Sequence, residues 1–399
     1  LIAAGKRKQG DQAGSGDALD TGVPSADTPQ SFVRDTRPRA DSTTTDTSTS
    51  HGDDTAMRPE DTSGEVDTAH PDAGMEDTFE AADTMLPTET TVAIVDGVLE
   101  VNGSPFQIQG VCWNPVARGE VNRSDYAQFV DQDAMLMEAA GINTVRTFGL
   151  LTDRTVLDRL YASGIYVLNT VYIWGGAEVA PLRGQLEGIR DHPAILMWLV
   201  GNEWNYNGLY AGLNAEQSLA RLNEVAALIR EVDPERPIAA VYGEVPSRDV
   251  VEAMPEIDVW GLNVYRGIGF GPLFDQWAQV SDKPMFLSEY GADAWNALVN
   301  REDPASQAEA VAQLTEEIQN HSAALTPGGV ALGGTVFEWN DEWWKDESGD
   351  PNIQDTGGIA PGGGPHPDAT FNEEWWGVVD IDRRTRPAYD RLREAFMDR

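Results

Sequence analysis

The chain has 399 residues, a formal charge of −38 and one cysteine. The charge argues against nucleic acid or anionic membrane as a partner, since both are bound through basic patches. A lone cysteine excludes an intrachain disulfide and a cysteine-rich metal site, and no run approaches the eighteen apolar residues of a spanning helix.

Composition changes near residue 91. Residues 1–91 are mostly Asp, Thr, Ser, Ala, Gly, Pro and Glu, with Phe32 and Phe79 the only aromatics. Such a stretch cannot bury enough apolar surface to offset its ordering entropy, so a disordered tether is expected. "DSTTTDTSTSHGDDT" (Asp41 to Thr55) reads as its solvated stalk. The opening "LIAAGKRKQG" is compatible with the stub of an export signal. With the tether it predicts a protein secreted or held at the cell surface, in the periplasm or outside it. Residues 92–399 hold all twelve Trp and suit a single barrel-sized domain.

The folded part opens with hairpin signals at Asp96-Gly97 and Asn102-Gly103. Eight strands are then predicted at about 106–114, 142–148, 165–173, 194–202, 237–243, 257–265, 284–290 and 334–340. Most are followed by an amphipathic segment, such as "AEQSLARLNEVAALIREVD" (Ala215 to Asp233) or "SQAEAVAQLTEEIQNHSAAL". Eight alternating units predict an α/β fold, a closed (β/α)8 TIM barrel. An open doubly wound sheet is the alternative, but no G-x-G-x-x-G phosphate loop is present.

Barrels of this kind carry their chemistry at the C-terminal ends of the strands. The fourth predicted strand, "PAILMWLVGNE", runs from apolar residues into Asn202 and Glu203, and the seventh, "MFLSEYG", ends in Glu289. Two carboxylates from separate strands would then face one cavity, as glycoside cleavage requires: one protonates the leaving oxygen and the other meets the anomeric carbon.

The motifs "IQGVCWNP", "INTVRTFG", "HPAILMWLVGNEWN", "DVWGLNVYRG", "KPMFLSEYGA" and "GGTVFEWND" occur in that order. Through them the region from about 92 to 399 resembles the clan of retaining glycoside hydrolases built on (β/α)8 barrels. Within that clan it is most similar to β-galactosidase/β-glucuronidase catalytic domains and to β-1,3-glucan-remodelling transglycosylases. The resemblance implies Glu203 as acid/base, Glu289 as nucleophile and Asn202 on the sugar 2-hydroxyl. It also implies Arg146 and Tyr265 beside the nucleophile and Trp339 as a floor under the sugar. Trp113 and Asn114, ending the first strand, join the substrate-binding set.

The expected substrate is a β-glucan-like polysaccharide or oligosaccharide, with hydrolysis or transglycosylation as the outcome. No cofactor or metal is called for, and a monomer is expected. A non-catalytic carbohydrate-binding barrel is the rival from another class, separable by turnover of an aryl β-glycoside.

Among the remaining motifs, Trp343, Trp344, Trp375 and Trp376 either build sugar subsites or cover the last helix. "DESGDPNIQD" is only a faint match to a calcium loop and reads as a solvated acidic loop. Asn122 and Asn320 fit the glycan acceptor pattern. Cys112 and His192 read as packing or turn residues, with His192 at the bottom of the barrel.

Overall fold

The computed structural model describes residues 88–121, 123–345, 365–366 and 372–397. Residues 1–87 of the expected tether, Asn122 and the acidic loop 346–355 lie outside the described residues. Within the described part, β1 (Val92–Val95), β2 (Val98–Val101) and β3 (Ser104–Pro105) form a small antiparallel sheet. Asp96-Gly97 and Asn102-Gly103 make its turns, all four residues with positive φ, as the hairpin signals require.

Eight parallel strands then close a barrel. In chain order they are β4 (Ile108–Cys112), β5 (Thr144–Arg146), β6 (Tyr166–Tyr172), β7 (Ile195–Val200), β8 (Ile238–Gly243), β9 (Val259–Asn263), β10 (Met285–Tyr290) and, after a two-residue ladder of β11 (Trp295–Asn296) with β12 (Arg301–Glu302), β13 (Ala331–Val336). β13 pairs with both β10 and β4, which closes the ring.

The helices start where the sequence signals them. α1 (Tyr126–Ala139), α2 (Arg154–Ala162) and α3 (Leu182–Glu187) follow the first three barrel strands. Asp125 and Asp153 cap α1 and α2 by accepting from first-turn N–H groups. Beyond the short α4 (Trp204–Asn207), α5 (Ala215–Val232) opens with a capping box of Asn214 and Gln217. α6 (Arg248–Glu252), α7 (Leu273–Val280), α8 (Pro304–Asn320) and α9 (Pro387–Met397) complete the outer ring.

The core is layered along the barrel. Leu196, Met197, Leu199, Val241 and Phe286 fill the interior and continue into Val92, Leu99 and Val101 of the small sheet, so that sheet plugs the barrel bottom. A larger cluster lies between strands and helices, with Val200, Leu222, Ile229 and Trp260 among its members. At the other end a small cluster of Cys112, Phe148, Phe337 and Trp376, with Tyr265 against it, floors the candidate site. His192 lies just before β7, at the bottom as expected, buried and within 3.0 Å of Asp158.

The eighth barrel strand departs from its expected bounds. It spans Ala331–Val336 and not 334–340. The strand begins three residues earlier than expected, and Gly333 and Gly334 both lie inside it. A Cβ on Gly333 would stand 2.1 Å from the Ile108 carbonyl oxygen, so glycine lets the last strand close against the first.

Candidate active site

The fourth barrel strand shows how apolar sequence delivers polar chemistry. Every residue of β7 is buried. Gly201 then takes φ 74°, where a Cβ would meet Trp204 at 2.9 Å and Leu222 at 3.1 Å. Glu203 itself has φ 47°. A left-handed conformation is unfavourable for a residue with a side chain and persists only where its surroundings hold it. Here the hold is the turn itself, since Tyr206 N–H and Asn207 N–H both donate to the Glu203 carbonyl, at 2.8 and 3.1 Å.

Glu289 lies near the end of β10, 6% exposed. Arg146, the last residue of β5 and fully buried, donates from Nη1 to Glu289 Oε1 at 2.8 Å. The Tyr265 hydroxyl donates to Glu289 Oε2 at 2.9 Å. Each carboxylate oxygen thus has its own donor, which fixes the plane of the group. Arg146 also donates from Nη1 to the Ser288 carbonyl at 2.7 Å and from Nη2 to Asn202 Oδ1 at 2.7 Å. Asn263 donates to the same Asn202 oxygen at 3.2 Å, and Ser288 donates to Asn263 at 2.7 Å. One guanidinium therefore ties together the ends of the second, fourth and seventh barrel strands.

Tyr265 places the two glutamates in one electrostatic neighbourhood. Burial raises its phenol well above the usual value, and the negative charges of Glu289 and Glu203 push it the same way. Tyr210, raised by burial and bonded to Asn202, senses Glu203, Lys345 and Glu289. Both phenols stay protonated at neutral pH and are available as donors.

Of the expected substrate-binding residues, Asn202, Arg146 and Tyr265 gather around Glu289. Asn114 is buried beside the site and donates to Glu342 Oε1 at 2.5 Å. Trp113 does not face the cavity: its indole N–H donates to Asp133 of α1 at 2.8 Å and its ring packs on Tyr126, outside the barrel wall. Trp339 also differs from expectation. It is fully buried and packs toward Tyr389 of α9. Because β13 ends at Val336, the aromatic that reaches the site is Phe337, 6.4 Å between ring centroids from Tyr265 and 6.2 Å from Phe148.

The tryptophan-rich segment divides as well. Trp376 is buried edge-on against Tyr265 and Phe337, at 5.4 and 5.6 Å. Trp344 is buried with the Lys345 ammonium 5.1 Å from its ring. Trp375 stacks on Trp295 at 5.0 Å, and Trp343 lies under Arg118 at 4.3 Å.

Cys112, Phe148, Phe337, Asn263 and Tyr210 also belong to the site. Cys112 accompanies Arg146 at 4.0 Å, and burial pushes its thiol up to about 12, which keeps it inert. Phe148 lies 4.6 Å from the Arg146 guanidinium.

Beside the pair lies an acidic cluster held by one cation. Lys345 contacts Glu342 at 2.9 Å and Glu373 at 2.8 Å. Burial, then the charge of Glu342, raise the Glu338 carboxyl well above the carboxylate range, with Lys345 opposing. A carboxyl raised by folding contributes stability that is complete below its unfolded value and is lost as pH rises through its folded value. Glu338→Gln removes that loss. Its melting temperature should match wild type near about pH 4 and exceed it by roughly 3 °C or more above about pH 7. Melting curves that coincide across that range would contradict the assignment.

The sequence profile described as "Glycosyl hydrolases family 2, TIM barrel domain" matches residues 174–322. Rat β-glucuronidase is 28% identical over 240 residues, 54% of this chain and 35% of the relative. β-Galactosidase of Klebsiella pneumoniae is 23% identical over 249 residues, 53% of this chain and 21% of the relative. Among solved structures, the GH2 β-galacturonidase of Eisenbergiella tayi bound to galacturonate superposes with TM-score 0.57 at 18% identity. That match covers 78% of this chain and 54% of the other. The likeness to the solved structure is one of fold. The chain spans about a third or less of the length of these two curated relatives.

Proposed function

We propose that this chain, a (β/α)8 barrel of the family 2 glycosyl hydrolase kind, is a retaining β-glycosidase in which Glu289 is the nucleophile and Glu203 the acid/base. The observation that carries this reading is the clamp on Glu289. Two donors that cannot accept its proton, a guanidinium and a high-pKa phenol, hold one oxygen each. A carboxylate so held is a pre-aligned nucleophile, and Glu203 stands within electrostatic reach of the same phenol. In the first step Glu289 attacks the anomeric carbon while Glu203 protonates the departing oxygen. In the second, Glu203 takes a proton from water, which attacks the glycosyl ester and restores the original anomeric configuration. Asn202, with its Oδ1 occupied by Arg146 and Asn263, presents its amide N–H2 to Tyr210 and the sugar.

The expected β-glucan is not retained as the substrate. The similar proteins are named for β-glucuronides, β-galactosides and β-galacturonides, and charge decides among these for our reading. A uronic acid needs a cation with unused capacity. Arg146 is committed to Glu289, Ser288 and Asn202, and Lys345 to Glu342 and Glu373. Like charges brought together cost several kcal/mol. A neutral β-hexoside of the galactoside kind is therefore favoured. On a panel of aryl β-glycosides, the galactoside should be turned over with kcat/KM at least about 100-fold above the glucuronide and galacturonide. A uronide preferred over every neutral sugar would reverse the substrate assignment, and binding without turnover of any sugar would favour a carbohydrate-binding barrel.

The tether composition supports action outside the cytoplasm, secreted or at the cell surface. Among the described residues no helix is long and apolar enough to cross a membrane.

A further inference from the structure

Trp174 and Tyr206 are unusual among the aromatics of this protein. Most of the tryptophans in the described residues are buried or nearly so, yet Trp174 is 45% exposed and Tyr206 46%. Each ring lies on a glycine. A Cβ on Gly176 would stand 2.5 Å from the Trp174 six-membered ring, and a Cβ on Gly243 would stand 2.1 Å from the Tyr206 ring. An exposed aromatic with no task is ordinarily free to turn. These two are seated on backbone that any larger residue would obstruct.

Both rings are positioned by the segment that carries Glu203. Tyr206 stands three residues after it, inside α4, with its N–H bonded to the Glu203 carbonyl. Its neighbour Asn205 exchanges two hydrogen bonds with Gly243, at 3.0 and 2.9 Å, which docks α4 onto the end of β8. Trp174 follows β6 by two residues. The next residue, Gly175, donates to the Leu209 carbonyl at 2.8 Å and leaves no room for a Cβ beside Leu213, Leu209 and Ala211. The exposed rings thus follow the third and fourth barrel strands, at the end of the barrel that carries Glu203.

We infer that Trp174 and Tyr206 form a platform for the leaving-group sugar. The inference rests on the glycosidase reading, because the acid/base protonates the departing oxygen and so faces the departing sugar. The C–H-lined face of a pyranose packs on an aromatic ring, whose broad apolar surface contributes without a specific hydrogen bond. The occupant is the second residue of a β-linked saccharide, so the natural substrate is an oligosaccharide or polysaccharide, not a small aglycone.

The test is kinetic and calorimetric. Trp174→Ala should lower kcat/KM on β-linked trisaccharides roughly tenfold or more, by a larger factor than on the methyl β-glycoside, with Trp174→Phe recovering most of the loss. Met135→Ala, an exposed apolar residue of α1, serves as the surface control and changes neither. Equal losses on both substrates, or none on the trisaccharide, would overturn the platform. Calorimetric titration of Glu289→Gln with the same trisaccharide separates this result from failure of the catalytic reading, since it requires no turnover. Binding that weakens roughly tenfold when Trp174→Ala is added supports the platform even in an inactive protein. Unchanged binding refutes it.

Discussion

Glu289→Gln should abolish turnover, with kcat on an aryl β-glycoside falling by about 10⁴-fold or more. The amide has nearly the shape of the carboxylate, so the substitution tests charge and nucleophilicity and leaves packing almost unchanged. One of Arg146 and Tyr265 can still donate to the amide oxygen, while the other faces an N–H2 in place of an acceptor. The fold should persist, since the barrel closes through β10 and β13 backbone pairing, and a melting curve and circular dichroism spectrum near those of wild type check this. Activity within about tenfold of wild type in a folded variant would remove Glu289 from the nucleophile's place.

Glu203→Gln should lower kcat/KM about 10²–10⁴-fold on substrates with poor leaving groups and far less on those with good ones. An activated phenol departs without a proton, so the first step no longer needs the acid. The second step still needs a base to activate water, so the glycosyl ester on Glu289 accumulates and a burst of phenol precedes slow turnover. Azide, which attacks without general-base help, should restore the steady-state rate and yield a glycosyl azide of retained configuration. A loss independent of leaving group, with no rescue by azide, would place Glu203 outside the acid/base role.

The barrel was legible in the sequence because most strands are short apolar runs and five of the helices, α1, α2, α5, α6 and α8, carry a side-chain cap. The two glutamates were legible for a related reason: at Asn202-Glu203 and at Glu289 the apolar pattern breaks at the end of a strand, where a barrel has its open face. The aromatic floor was not. Assigning Trp339 to the cavity required the end of the last strand, which was expected near residue 340, whereas β13 starts and ends earlier and closes against β4 at Gly333. Shifting the strand end to Val336 gives the cavity to Phe337 and sends Trp339 toward α9. Trp113 was misplaced because its partner, Asp133, is fixed only once α1 folds over the first strand, and Arg383 from another part of the chain also binds Asp133 at 3.0 Å. Tyr210 gave no periodic signal, since it ends a single 3-10 turn, Gly208–Tyr210, at φ 51°, which only the fold determines.

The acidic cluster around Lys345 was partly visible as a run of carboxylates among tryptophans. Its consequence was not, because only the structure brings Glu342, Glu373 and Glu338 around one ammonium. Their charges raise the Lys345 pKa well above the usual value although burial opposes it. This lysine is a counter-ion already taken, which is why the substrate reading turns toward neutral sugars.

The most direct measurement is covalent trapping. A 2-deoxy-2-fluoro β-glycoside with an activated leaving group slows both chemical steps by destabilising the cationic transition state, while the leaving group restores the first. Incubation should stop turnover and add one fluoroglycosyl group to the protein, and peptide mapping should find it as an ester on Glu289. A label on any other residue, or full inactivation with no label, would contradict a nucleophile at the end of the seventh barrel strand.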